Sequence, residues 1–275
     1  MALITSQSVG LAGTIVMLVV SAEAAPAASS FAWAAAAGAS GVAGLGFFYY
    51  ALSRGTMGVI APLAALIGAG VPVLVAVAGG EDVPPLRLLG IVVALAAVVL
   101  ISMPGGEQAA AERRRVRLDL RELPLVLLSG LGFAGFFVFM DRATLNGETW
   151  WPLVAVRLVG LGLVAVVFAA AVARQHGASV RGRAESLLGV ARLRSSQLGF
   201  LSVAALFVVT GIGDLGGNAF FILSKHADAF AVAVVLSSLY PVVTTILAAL
   251  LLRERLRPVQ ILGVALATAS VPLLR

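Results

Sequence analysis

The sequence predicts an all-α integral membrane protein, with about nine transmembrane helices forming an inverted-repeat bundle of four plus five. Three observations carry this. Sixty per cent of the 275 residues are hydrophobic and twelve per cent charged, where a soluble domain has roughly a quarter charged. The apolar residues fall in uncharged runs near the ~20 residues that a helix needs to cross ~30 Å of hydrocarbon. The second half also repeats the first. Leu52-Ser53, an apolar run, Glu81, Pro85 and Leu89-Gly90 recur as Leu223-Ser224, an apolar run, Glu254, Pro258 and Leu262-Gly263, at an offset of 171 residues that becomes 173. Barrel strands would be half as long and would alternate in polarity. Helices satisfy their own backbone groups, so they can stand in lipid.

The nine segments, in order, are about 3–22, 31–52, 57–78, 86–103, 124–141, 151–173, 198–222, 229–252 and 259–274. The first aligns at Leu3–Ala12 with Leu153–Gly162 of the sixth. The second ends in Phe47, Phe48, Tyr49 and Tyr50, read as an interfacial aromatic belt, as are Trp150 and Trp151 at the start of the sixth. The third holds Pro62 and Pro72, and the eighth holds Pro241. Each proline removes a backbone donor and is expected to bend its helix, as a packing kink or as a cavity wall or hinge. The fourth and ninth follow the acidic turns at Glu81 and Glu254.

The fifth segment has no partner in the first half. A complete first repeat would need a spanning helix before Met1, so either the start is truncated or the protein has nine helices. The domain expectation is a four-helix repeat over 1–103, a basic cytoplasmic linker over 104–123, and a five-helix repeat over 124–275. A second polar connector, 174–197, allows a short amphipathic helix at 184–194.

Charge sets the orientation. Fourteen Lys and Arg lie on one face, among them Arg54, Arg113–Arg115, Arg174 and Arg253; four lie on the other, Arg87, Arg142, Lys225 and Arg275. The richer face is expected to be cytoplasmic. Segment 3–22 then runs outward and its partner 151–173 inward. The repeats are therefore inverted, a signature of secondary transporters that places the solute at the repeat interface. The net charge of +6 is read as this topology signal, and nucleic acid is not an expected partner. With no Cys, thiol chemistry is excluded. His176 and His226 fall in polar connectors and are read as solvated. No phosphate loop, paired-carboxylate site, nucleophile triad or metal-ligand spacing stands out, so no enzymatic activity, metal or cofactor is expected.

Two ionisable residues lie inside apolar segments. Arg157 and Asp214 are each about two turns from the outer ends of their segments, roughly 10 Å at 1.5 Å per residue. A lone charge at such depth is costly. Their opposite signs and matched depth suggest an intramembrane pair. It would fix helix packing, or form a charged cavity wall with Asp214 as a proton carrier; alternatively Arg157 snorkels. Around Asp214 runs the glycine-dense stretch Gly211–Asn218. Gly213 and Gly217 have small-xxx-small spacing, as do Ala37 and Gly41, and Ser40 and Gly44. This stretch is read as tight packing or as a locally unwound helix facing a solute. Asp214 and Asn218 share a face. The expected solute cavity is lined by Asp214, Asn218, Ser237, Tyr240 and Pro241, with an apolar wall of Phe133, Phe136 and Phe137.

The stretches Tyr50–Pro62 (YALSRGTMGVIAP), Leu239-Tyr240-Pro241, Arg253-Glu254-Arg255 and Gln260-Ile261-Leu262-Gly263 resemble the drug/metabolite transporter superfamily, in its EamA-type branch of two five-helix repeats. The resemblance covers nearly the whole chain, less that branch's first helix, which contributes to the central cavity. It implies a multi-pass plasma-membrane protein that exports or exchanges a small metabolite or drug-like solute by alternating access. The implied partners are that solute and membrane lipid, and a homodimer is allowed. Two rivals stand beside this reading: a flippase for a lipid-linked precursor, and a non-transporting membrane subunit or truncated remnant.

Overall fold

The computed structural model describes residues 2–54, 57–103, 122–174, 200–227, 229–251 and 256–274. Within them are ten helices and no strand: α1 Ala2–Ser21, α2 Ala28–Leu52, α3 Met57–Ala78, α4 Pro85–Ser102, α5 Leu123–Ala143, α6 Trp150–Arg174, α7 Phe200–Ala227, α8 Phe230–Ser238, α9 Tyr240–Leu251 and α10 Pro258–Leu273. The basic linker up to residue 121, the 184–194 segment, His176, Glu254 and Arg275 lie outside the described residues.

The nine expected segments become ten helices because the eighth is split. Leu239 separates α8 from α9. Its N–H donates to Leu236 O at 3.2 Å, and its own carbonyl accepts from Val242 N at 2.9 Å. Those i→i+3 bonds tighten the chain just where Pro241 has no donor to offer. Pro62 and Pro72 interrupt nothing of the kind, since α3 runs through both. The seventh segment continues to Ala227, five residues beyond the expected end, so His226 stands on the last turn of α7 rather than in a connector. At the end of α1, Ala22 takes a left-handed conformation, φ 49°, which stops the helix.

Six stretches are long and apolar enough to cross a membrane: Ala28–Leu52, Ile60–Ala78, Pro85–Ser102, Leu123–Ala143, Trp150–Val167 and Phe230–Leu247. Gln7–Ser21 and Pro258–Leu273 are shorter apolar helices. The outer surface is inside-out relative to a soluble protein. Val19, Val20, Leu74, Val209, Phe220 and Leu250 are all highly exposed, an arrangement that suits hydrocarbon as solvent. This is a multi-pass membrane protein.

Small residues bring the helices together. Lipid gives no hydrophobic drive between helices, so close backbone approach and polar links must supply it. A β-carbon at Gly132 of α5 would lie 2.4 Å from the Cα of Gly44 on α2, so only glycine fits there. One turn away, Ser40 Oγ donates to Gly132 O at 2.9 Å. The Ser40/Gly44 spacing therefore marks the α2–α5 contact. Gly213 and Gly217 differ: nothing lies within 4 Å of where their β-carbons would be. Among the described residues the tight-packing expectation does not hold for them, because none of the other described helices meets that face of α7. Nor is α7 unwound there; its helix is continuous from Phe200 to Ala227.

Among the described residues, several helix contacts come in pairs that exchanging the two halves would interchange. The helix α2 packs on α6 and α1 on α7; α3 packs on α4 and α9 on α10. Across the halves, α1 meets α6, α3 meets α8, and α4 meets α10. The helix α5 lies on α2 and α3.

Candidate functional site

The polar centre of the bundle is assembled from three helices. On α6, Arg157 is only 3% exposed. Its Nη1 donates to Gln7 Oε1 of α1 at 2.6 Å and to Asp214 Oδ2 of α7. Asp214 is 43% exposed, so one partner of the ion pair is sealed and the other is open. Asn218, one turn along α7, donates from Nδ2 to the Asp214 carbonyl at 2.9 Å and to Oδ1 at 3.4 Å. Nη2 of Arg157 is buried and has no hydrogen-bond partner. The guanidinium fits because α1 has no side chain beside it: a β-carbon at Gly10 would lie 3.0 Å from Cζ. Arg157 therefore does not snorkel; its charge ends inside the bundle.

This centre opens on a cavity of about 540 Å³, within the range of small-molecule sites. Asp214, Asn218, Ser237 and Tyr240 all line it, together with Phe133, Phe136 and Phe137 of α5. Pro241 is buried and is not among the lining residues. The phenol-bearing Tyr240 is 64% exposed. Most of the remaining wall is small or apolar, including Gly38, Gly41, Ala61, Ala64 and Gly68. The small residues make room; the phenylalanines give one flat apolar face.

Several lining residues carried no functional signal in the sequence. Gln7 sits in the short polar run Thr5-Ser6-Gln7-Ser8 near the start of the first segment, and nothing singles it out from its hydroxyl neighbours. Ser238 and Ser102 also reach the cavity. Phe48 and Tyr49, read as part of an aromatic belt, also line the cavity. Tyr49 and Tyr50 are both exposed, and Arg54 Cζ lies 4.4 Å from the Tyr50 ring centroid.

One end of the bundle is closed by packing and by polar clamps. Phe137, Phe221 and Phe230 form an edge-on chain with centroids 5.0 and 6.4 Å apart. Above it, loops and helix ends are tied together. The Glu23 carboxylate accepts the backbone N–H groups of Thr149, Trp150 and Trp151 at 2.9–3.2 Å, which are the otherwise unsatisfied donors at the start of α6. Trp151 Nε1 donates to Glu23 O at 3.0 Å. Likewise Glu81 Oε1 accepts Ala231 N–H at the start of α8, 3.0 Å away. A negative charge at a helix N-terminus is favoured by the helix dipole. The complementary case is Lys225 of α7. Its Nζ lies 3.1 Å from Asp141 Oδ1 and donates to Asp141 O and Thr144 Oγ1, both at 2.9 Å, where α5 ends. His226 Nε2 is 3.0 Å from Thr144 O, so it is engaged rather than merely solvated.

Glu148 joins the same end. Burial pushes its carboxyl up, but hydrogen bonds outweigh this and leave it below the usual glutamate range. They come from its own backbone, from Asn146 and from Ser30. The Ser30 hydroxyl reaches Oε1 at 3.3 Å, and the Asn146 N–H reaches Oε2 at 3.1 Å.

A comparison with curated proteins finds no match. The model of the EamA-like transporter family matches residues 120–275. That span covers α5 to α10 with the Arg157–Asp214 pair, and it makes up more than half of the chain. By this match, this multi-pass membrane protein with a polar-cornered cavity belongs to the EamA-like transporter family.

Proposed function

We propose that the chain is a secondary-active carrier that exports or exchanges a small organic metabolite or drug-like solute by alternating access. The cavity itself carries the reading. It lies where helices of both halves meet, it has room for a solute of modest size, and its few polar groups sit at one corner of an apolar wall. That composition supports orientation of a partly apolar solute by few anchors. In this reading the conformation is inward-facing. The cavity extends toward Phe48, Tyr49 and Ser102, near the ends of α2 and α4 that the Arg count assigns to the cytoplasm. The opposite end is held shut by the aromatic chain and the Glu23, Glu81 and Lys225 clamps.

The test is a ligand screen on purified full-length protein. A set of metabolites and drug-like amphiphiles is scored by thermal stabilisation, and hits are repeated on Asn218→Leu and Tyr240→Phe. Hits should stabilise the parent protein and lose most of that effect in both variants, while the variants express normally. Equal stabilisation of all three proteins, or no hit in the set, would overturn the site.

A further inference from the structure

We propose that the Arg157–Asp214 corner takes an organic monoanion together with one proton, the proton residing on the Asp214 carboxylate while the anion sits at Arg157. The inference rests on the proposed function and names the class of solute: a carboxylate head on an apolar body.

The argument begins with the unequal surroundings of the two charges. Arg157 is 3% exposed, inside a membrane, and needs a negative partner in every state the carrier visits. Its present partner, Asp214, is 43% exposed and lines the cavity. An incoming carboxylate therefore meets Asp214 first. If both carboxylates stayed ionised, two negative charges would share one guanidinium. Protonating Asp214 removes that conflict. The solute anion then takes over as counter-ion, and the corner keeps the same net charge with and without solute. A cationic solute would have the opposite effect: bound to Asp214, it would compete with Arg157 for its only described charged partner.

The guanidinium has capacity for this exchange. Nη1 alone serves both Gln7 and Asp214, while Nη2 is buried without a partner. A network built only for packing would be expected to use that donor. Gln7 holds Nη1 from the α1 side and remains when Asp214 lets go. Asn218 is bonded to the Asp214 carboxylate and carbonyl, so it keeps the protonated side chain on its own helix.

The groups facing Asp214 are few. From α6 comes Arg157; α1 contributes Gln7 and no ionisable side chain; α8 has none. Tyr49 and Tyr240 are the titratable phenols among the described lining residues. Asp214 is thus the carboxylate available to take the proton. The apolar body has its place against Phe133, Phe136 and Phe137.

The experiment is calorimetric titration of the purified full chain with three probes of one shape: 3-phenylpropionate, 3-phenylpropanol and 3-phenylpropylamine. The acid should bind best. Repeating the titration in buffers of different ionisation enthalpy should show about one proton taken up per acid bound, and the affinity should fall as the pH is raised. In Asp214→Asn, which imitates the protonated carboxyl, acid binding should persist without proton uptake and without that pH dependence. If this variant does not fold, proton uptake by the parent protein decides alone. Acid binding without proton uptake overturns the proposal. So does preference for the amine or the alcohol with Asn218→Leu still weakening it, an outcome that leaves the cavity as a solute site. Saturable binding by none of the three overturns the anion assignment, and the metabolite screen then judges the cavity separately.

Discussion

Arg157 occupies the space that a side chain at Gly10 would need. The guanidinium Cζ lies 3.0 Å from the β-carbon position on α1, so the buried cation is held between a glycine and its carboxylate partner on α7. Gly10→Leu should push Arg157 away from Asp214 and lower the yield of monodisperse protein. In an Arg157→Leu background the same change should cost much less, because the obstructing group is gone. Equal losses in the two backgrounds would show that Gly10 matters for some other contact.

The ion pair predicts an asymmetry. Removing one partner leaves a lone charge, at a cost of about 3–5 kcal/mol when that charge is fully buried. Asp214→Leu strands Arg157, which is sealed. Arg157→Leu strands Asp214, which is open to the cavity and can be hydrated. The first change should therefore reduce folded yield more than the second, and the double change should recover part of the loss. Equal single losses that add in the double mutant would contradict the pairing energetics.

Much of this was legible in the sequence for a physical reason: a helix in lipid must be long, apolar and self-satisfied, so hydropathy alone locates it. The depth match between Arg157 and Asp214 also follows from counting turns. Gln7 was not legible. It lies among Thr5, Ser6 and Ser8 near the start of a segment, where polar residues are ordinary, and its role appears only when α1 is laid against α6. The split at Leu239 was half legible: Pro241 announced a disturbance, but the break falls two residues earlier, where tightened i→i+3 bonds take it up. Gly213 and Gly217 misled because small-xxx-small spacing reports the capacity for close approach, while the approach itself needs a neighbour. Glu23 and Glu81 were opaque for a similar reason, since the helix starts that they cap lie more than a hundred residues away in the chain.

Glu148 gives a pH signature confined to one end of the bundle. Its folded-state carboxyl is held below the ordinary glutamate range, about 4.3. A depressed carboxyl contributes stability above the unfolded value, and that contribution is lost as pH falls through the folded one. The parent protein should melt above Glu148→Gln at neutral pH, by an amount equivalent to about 1 kcal/mol or less. The gap should close as pH drops below about 4. A gap that widens on acidification would reverse the sign of the interaction.

Orientation can be read directly because the chain has no cysteine. An impermeant thiol reagent added to intact cells should label Asp82→Cys, in the loop between α3 and α4, and spare Gly106→Cys in the basic linker. Permeabilised cells should label both. The reverse pattern would invert the topology that the Arg distribution assigns.

The polar clamps at the closed end make the last expectation. Glu23 satisfies the first donors of α6, and Lys225 meets the carbonyl end of α5, so both tie together helices that must separate if the cavity is to open on that side. A carboxylate or ammonium at a helix end contributes about 1–2 kcal/mol in partly buried geometry, enough to shift a balanced conformational equilibrium about tenfold. Ala65 lines the cavity, and Ala65→Cys offers a small reporter there. In intact cells, an impermeant reagent should label this cysteine slowly in the parent protein and several-fold faster once Glu23→Ala and Lys225→Ala are added. Labelling from the opposite face, measured in inverted vesicles, should slow by a similar factor. Acceleration from both faces would mean that the clamp changes had loosened the bundle as a whole. Unchanged rates on both would mean that the aromatic chain of Phe137, Phe221 and Phe230 holds that end shut without them.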